Sequence, residues 1–248
     1  MTAEGASPTL GRIRAAGVLR VGTTGDYTPF SLLQPDGSYV GADIDMAHDL
    51  AATIGVRIEF VPSVWIGLLD DFLADKFDIA MGGVTVTPAR AETAFFSIPT
   101  FVDGKRPLAR LADRDRFTSI AAIDQPGVRV IANPGSANEA FARANFTRAA
   151  VTIHHDNASV FAEIVAGCAD VMVTDGLEAD HQAQLHPELS AVPVAAPFTR
   201  LEKAYMFARD PALKTFIDGW LEGAFASGAW QRALDRALGG AMSAHPGR

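Results

Sequence analysis

The apolar positions change period along the chain. Val18-Leu19-Arg20-Val21-Gly22-Thr23-Thr24 alternates apolar with small or polar residues and runs into Gly25-Asp26-Tyr27-Thr28-Pro29-Phe30, which predicts a strand ending in a loop. From Gly41 the interval lengthens. Ile44, Ala47, Leu50, Ala51 and Ile54 recur at helical spacing until Gly55, so residues 41–54 read as a helix. A strand over 56–61, a helix over 66–74 and a third strand at Phe77-Asp78-Ile79-Ala80-Met81 follow, the last opening into Gly82-Gly83-Val84-Thr85-Val86-Thr87-Pro88. Strands alternating with helices imply a mainly parallel sheet covered by helices.

The pattern then restarts. A strand over 128–132 is ended by Asn133-Pro134-Gly135-Ser136, followed by a helix over 138–145, a strand over 151–154, a helix over 158–165 and a strand over 171–174. The two blocks share no sequence repeat, which predicts two α/β lobes. Extended segments at 95–110 and 192–205 and a helical tail over 213–238 indicate that the chain leaves lobe one, builds lobe two and returns. Lobe one is then 1–104 with 195–248, and lobe two is 105–194. Two lobes joined by two crossings make a cleft that closes by hinge motion. Ligands of open α/β sheets sit beyond the carboxyl ends of the strands, which singles out the loops 25–30, 82–90, 133–138 and 174–178.

Composition narrows the function classes. Of 248 residues 48% are apolar and 20% charged, enough for a sizeable core and too apolar for disorder. Twenty-one Lys and Arg against 29 Asp and Glu give a net charge of −8, and no basic run is long enough to follow a phosphate backbone, so a nucleic-acid partner is not expected. No apolar stretch reaches the ~18–20 residues that span a bilayer, so no membrane insertion is expected. The first ten residues lack an apolar core segment, so no secretory signal is expected in this stretch. The single cysteine, Cys168, argues against an internal disulfide or a Cys-rich metal site. His154-His155 is too tight for ligation from one helix face and has no acidic partner at ligand spacing, so no metal is expected. No G-x-S-x-G, Walker or G-x-G-x-x-G pattern occurs.

Each remaining constellation has two readings. Gly82 to Arg90 combines backbone donors, hydroxyls and one guanidinium that could fork onto a carboxylate, or it is a turn, a helix start at Pro88 and a surface arginine. Asn133 to Glu139 could offer N–H groups to an anion, or Ser136 and Glu139 form a capping box. Thr174-Asp175-Gly176-Leu177-Glu178 puts two carboxylates at a strand end, and their spacing suits a cap at Asp175 with Glu178 in the first turn. Lys105 lies in the first crossing, where lysine is usually solvated. Trp65 is either a cleft wall or core.

Residues 18–31, 41–51, 77–90 and 167–175 resemble the periplasmic amino-acid-binding proteins of ABC importers, over nearly the whole chain. The resemblance implies a two-lobed periplasmic-binding-protein-like (type II) α/β fold, a periplasmic location and a small carboxylate ligand. It implies that Arg90 grips a carboxylate and that Asp175 takes an amino group. Within that superfamily Thr23-Thr24-Gly25-Asp26-Tyr27, Phe96-Ser97-Ile98-Pro99, Asp103-Gly104-Lys105, Asn133-Pro134-Gly135, Leu185-His186-Pro187-Glu188-Leu189 and Glu202-Lys203-Ala204-Tyr205 are similar to the cyclohexadienyl dehydratases. These enzymes convert prephenate or arogenate to phenylpyruvate or phenylalanine. Their general acid falls on Glu178 and their cleft lysine on Lys105. Asp26, Tyr27, Trp65, Gly83, Thr85, Arg90, Asn133, Ser136 and Asp175 become the expected substrate-binding residues. No cofactor is implied, and a homo-oligomer is left open. Gly82 stands where a hydroxyl residue is expected, and Thr87-Pro88 reads like the transporter branch. A non-catalytic amino-acid-binding protein of an importer is therefore the alternative, and Glu178 and Lys105 favour the enzyme.

The implied chemistry needs one good proton donor, because hydroxide is a poor leaving group and the ring becomes aromatic as water and CO2 depart. A carboxyl in a dry, anionic site holds its proton to higher pH than in water, and a general acid supplies about 10²–10⁴-fold. Arg90 would anchor a carboxylate and Lys105 would offset the remaining charge.

Overall fold

A computed structural model describes residues 6–239. The chain forms two compact units. One takes the chain up to Phe101 and again from Glu202, and the other is Val102–Leu201.

The sheet of the first unit runs in the order Arg57–Pro62, Val18–Thr23, Ile79–Ala80, Met206–Phe207, Phe95–Phe96. Val18–Thr23 is parallel to both its neighbours, and Met206–Phe207 is antiparallel to both of its own. The sheet of the second unit repeats this plan. Its order is Ala150–Ile153, Arg129–Ala132, Val171–Asp175, Lys105–Arg110, Leu189–Ala191, again parallel over the first three strands and antiparallel at the last two. The two blocks share no sequence repeat, but they share one device. In the first unit Asp78 accepts the Arg20 backbone N–H at 2.8 Å and the Arg20 guanidinium, and its own N–H returns to the Arg20 carbonyl. In the second, Asp170 does the same with Arg129. Burial alone would raise the Asp170 carboxyl, but Arg129 and Arg110 hold it down at about 2. The repeat lies in geometry carried by one acid and one arginine per unit, too sparse to show as sequence similarity.

The helix expected over 41–54 forms as Ala42–Ile54. It buries Ile44, Ala47, Leu50, Ala51 and Ile54, and left-handed Gly55 closes it by donating to Ala51 and Ala52 carbonyls. The run Val171-Met172-Val173 is apolar without alternation because both faces of its sheet are covered. Val130, Ala132, Val171 and Val173 enter one core cluster, and Leu108, Ile131 and Met172 enter the other. Truncating such a fully buried side chain to Ala costs about 2–5 kcal/mol.

Several boundaries differ from expectation. The helix expected over 66–74 is Leu68–Leu73, and that over 158–165 is Val160–Val165. The tail expected over 213–238 is two helices, Pro211–Ala226 and Ala229–Ala237, broken where Gly228 takes a left-handed conformation. A short helix at Pro8–Ala16 and a three-stranded meander of Asp26–Tyr27, Ser31–Leu33 and Tyr39–Val40 were not expected. Strands this short carry no period to read.

Candidate active site

In the first unit the loop after Ile79–Ala80 is built around glycine. Gly82 and Gly83 have φ of 135° and 73°, and a Cβ on Gly83 would lie 2.5 Å from the Tyr27 ring. A Cβ on Gly82 would lie 2.8 Å from Thr23 Oγ1, whose hydroxyl pairs with that of Ser31 at 2.7 Å. The hydroxyl residue expected at 82 has no room. Asp43 fixes the loop: its carboxylate accepts the N–H groups of Gly82 and Gly83 at 3.0 and 2.7 Å and the Tyr205 hydroxyl at 3.0 Å.

Thr85 then gathers two cations. Arg90 Nη1 donates to the Thr85 carbonyl at 3.0 Å, and Lys203 Nζ donates to the Thr85 hydroxyl at 2.7 Å. Arg90 is on the one-turn helix Pro88–Ala91, capped by Thr87, so the helix start at Pro88 is present. The surface-arginine reading fails, because Arg90 is only 9% exposed. Burial alone lowers its pKa, with no carboxylate contributing. Its guanidinium lies 6.0 Å from the Trp65 ring, and Lys203 lies 5.0 Å from the Tyr27 ring. Trp65 meets Tyr27 edge-on at 5.8 Å and donates its Nε1–H to Asp26 at 3.0 Å, while its ring packs on the core. The expected residues Asp26, Tyr27, Trp65, Gly83, Thr85 and Arg90 thus form one cluster. A guanidinium whose pKa is lowered by burial alone has chemistry suited to an anion.

The second unit joins the rest. Lys105 is not solvated. It is fully buried, and Nζ donates to Asp175 at 2.7 Å and to Asn138 Oδ1. Asn138 Nδ2 donates to Asn133 Oδ1 and to Thr174 Oγ1, both at 3.1 Å, and the Thr174 hydroxyl donates to Glu178 Oε2. The expected roles shift accordingly. Asp175 stands at the N-cap position of the helix Gly176–Leu185, but its side chain makes no cap bond. The cap comes from Asp103, which accepts the Leu177 N–H at 2.9 Å. Lys105 carries an ion pair within the protein, so offsetting substrate charge is not its evident task. Glu178 is 2% exposed in the first turn of that helix.

Ser136 caps the helix Ala137–Asn145 by accepting the Glu139 N–H, as the capping reading requires, and its hydroxyl donates to the Asn133 carbonyl at 2.7 Å. Glu139 reaches back to the Gly135 N–H at 2.8 Å, one residue before the expected position. Asn133 Oδ1 receives Ser136 and Asn138, which turns its Nδ2 donor away from them. His154 bonds Ser159 at 2.8 Å, and its ring lies tilted against that of His155 with centroids 4.6 Å apart. Among the described residues no group of three His, Cys, Asp or Glu side chains is placed to hold a metal ion, and no helix is long and apolar enough to cross a membrane.

Sequence reasoning gave no role to Asp43, Lys203, Asn138 or Thr174. Asp43 had a legible signal, an acid on the face shared with Ala47, Leu50 and Ile54. Lys203 lay in a motif already noticed. The contact between Asn138 and Thr174 carries no local signal, since the two are 36 residues apart in sequence.

Residues 19–240 match the profile of the bacterial extracellular solute-binding proteins, family 3. The chain is 47% identical over 229 residues to the cyclohexadienyl dehydratase of Pseudomonas aeruginosa, covering 92% of this chain and 85% of that one. It is 28% identical to an L-cystine-binding protein of Escherichia coli, over 68% of this chain and 63% of that one. Among solved structures, a crystal structure of an ancestral cyclohexadienyl dehydratase is 48% identical, with TM-score 0.59 and coverage of 94% and 97%. An ancestral amino acid-binding protein, described as a precursor of cyclohexadienyl dehydratase, is 34% identical, with TM-score 0.85 and coverage of 94% and 100%. With the profile spanning both units, the chain belongs to the family 3 bacterial extracellular solute-binding proteins.

Proposed function

We propose that this protein is a cyclohexadienyl dehydratase, converting prephenate to phenylpyruvate, arogenate to phenylalanine, or both. The observation that carries the reading is Glu178, a carboxyl buried in the first turn of a helix it does not cap and bonded to the Thr174 hydroxyl. A protein that only holds an amino acid has no need of a buried carboxylic acid there. The relatives at 47% and 48% identity named for this activity support it.

In the proposed reaction Glu178 gives its proton to the ring hydroxyl. The C–O bond breaks and water leaves. The C–C bond to the ring carboxylate breaks, its electron pair completes the aromatic ring, and CO2 departs. Glu178 is left ionised and regains a proton from solvent. Arg90, with Lys203 beside it at Thr85, holds a substrate carboxylate. Arg90 serves binding, because gripping the departing carboxylate would oppose loss of CO2. Asn133 Nδ2 supplies a further donor. Asp175 already carries the Lys105 ammonium at 2.7 Å, so a substrate amino group is not needed to satisfy it. The chemistry asks for no metal or organic cofactor. The family description is extracellular, and a periplasmic location fits it.

The test is incubation with prephenate, and separately arogenate, following phenylpyruvate by its absorbance and phenylalanine by chromatography. Turnover is expected. Tight binding of an amino acid with no turnover of either substrate would make the protein an importer's binding component.

A further inference from the structure

We infer that Lys203 is a specificity-determining residue. It reads the group beside the carboxylate held at Arg90 and favours a keto oxygen over an ammonium, hence a 2-oxo acid such as prephenate over a 2-amino acid such as arogenate. The inference rests on the dehydratase reading for its two substrates, and on the carboxylate anchor of the first unit for its geometry.

Lys203 ends the short strand Leu201–Lys203, and its backbone is held on both sides. It lies opposite Thr85 in an antiparallel bridge, with the Val86 N–H on the Glu202 carbonyl at 2.9 Å and the Ala204 N–H on the Val84 carbonyl at 3.0 Å. Its own carbonyl takes the Thr100 N–H at 2.8 Å. The side chain is buried, with Nζ on the Thr85 hydroxyl at 2.7 Å and 5.0 Å from the Tyr27 ring. Arg90 Nη1 meets the carbonyl of the same Thr85 at 3.0 Å. One residue thus gathers two cations of different shape. The planar guanidinium matches the two oxygens of a carboxylate, whereas the ammonium is a compact point charge.

The two substrates differ at one position. Prephenate bears a keto oxygen on the carbon next to its side-chain carboxylate, and arogenate bears an ammonium there. With that carboxylate on Arg90, the neighbouring carbon comes within the field of the other cation at Thr85. A positive charge there attracts the negative end of the keto dipole and repels an ammonium, the more strongly for being buried. The acids of this cluster already accept protein donors. Asp43 takes the Gly82 and Gly83 N–H groups and the Tyr205 hydroxyl, and Asp26 takes the Trp65 Nε1–H at 3.0 Å. A receptor for a free amino acid needs negative charge beside that carbon, and Lys203 brings the opposite sign.

The experiment measures kcat/KM for prephenate and for arogenate in wild type, Lys203→Met and Lys203→Gln. Methionine keeps most of the length and removes the charge, and glutamine also leaves a donor for Thr85. We expect the ratio of prephenate to arogenate to fall about 10–100-fold in Lys203→Met, with prephenate losing and arogenate holding or gaining. Lys203→Gln should move the ratio the same way. A smaller change, or equal losses on both substrates, overturns the inference and leaves Lys203 a structural partner of Thr85. Should both variants fail to fold, wild type decides by calorimetry with phenylpyruvate, phenylalanine and 3-phenylpropionate, which differ only at the carbon next to the carboxylate. Phenylpyruvate should bind tightest and phenylalanine weakest, about tenfold or more apart. Phenylalanine bound as tightly as 3-phenylpropionate overturns the inference and makes Asp26 the receiver of the ammonium. Binding of none of the three removes the anchor at Arg90, and the inference falls with it. If wild type turns over neither substrate, the dehydratase reading fails by itself, and the same three ligands on wild type and the variants still decide the role of Lys203.

Discussion

Asp43 is an acid on the apolar face of a helix. Burial pushes its carboxyl up from 3.8 to about 6, against the N–H groups of Gly83 and Gly82, the Tyr205 hydroxyl and the nearby charge of Lys203, all of which pull it down. A folded-state pKa above the unfolded one gives stability that is full below pH 3.8. That stability is lost as the pH rises through about 6, because the unfolded chain releases its proton first. The loss amounts to about 3 kcal/mol. Asp43→Asn cannot ionise. Urea unfolding from pH 4 to 7 should therefore show the variant gaining about 2.4 kcal/mol relative to wild type as the pH rises, whatever the offset between them. A constant difference would mean that Asp43 does not titrate in this window. At Glu178 the change is chemical. Glu178→Gln keeps the shape and can still hydrogen-bond but has no acidic proton, so kcat should fall about 10²-fold or more with KM little changed. Near-full activity would reduce Glu178 to a helix-start carboxylate. Arg90→Lys keeps the charge and loses the fork, so it should chiefly raise KM. An unchanged KM would put the carboxylate anchor elsewhere.

At the scale of elements, the strands and helices that carry the site were legible, because apolar periodicity survives in the regular segments. The loops after Val18–Thr23, Ile79–Ala80, Arg129–Ala132 and Val171–Asp175 all bear residues of the candidate site, as strand ends in an α/β sheet should. Side-chain assignments failed where the partner is distant in sequence. At the start of Gly176–Leu185, local spacing proposes Asp175 as the cap, and the structure uses Asp103. No local rule could choose between them, since the choice depends on Lys105–Arg110 lying antiparallel beside Val171–Asp175, which sets Lys105 opposite Asp175. The two acids should separate on removal. Asp103→Ala loses a cap bond, about 1 kcal/mol. Asp175→Ala leaves a buried ammonium without its ion pair, about 3–5 kcal/mol. Thermal or urea unfolding should rank them in that order. Equal, small losses would return Asp175 to the ordinary role of a cap.

At the scale of the whole molecule, the proposed reaction asks for groups from both units. Arg90 and Lys203 belong to the unit that takes the chain up to Phe101 and from Glu202, whereas Lys105, Asn133, Thr174 and Glu178 belong to Val102–Leu201. If one substrate is held by the first set and protonated by the second, binding must select one mutual arrangement of the units. The chain passes between them only twice, within the short strands Phe101–Asp103 and Leu201–Lys203. A few residues at element ends suffice to absorb such a motion. We therefore expect the units to move as bodies when substrate binds. The Glu178→Gln variant makes the measurement practical, because it should bind prephenate while consuming it about 10²-fold more slowly, or slower still. Small-angle scattering of that variant should give a smaller radius of gyration with saturating prephenate than without. Each unit's internal hydrogen exchange should change little outside the loops 82–90 and 133–138. Equal radii, with binding shown by calorimetry and the free form shown to be open, would mean that the substrate enters a site already assembled. Exchange protection spread through both sheets would mean that binding orders the units themselves rather than reorienting them.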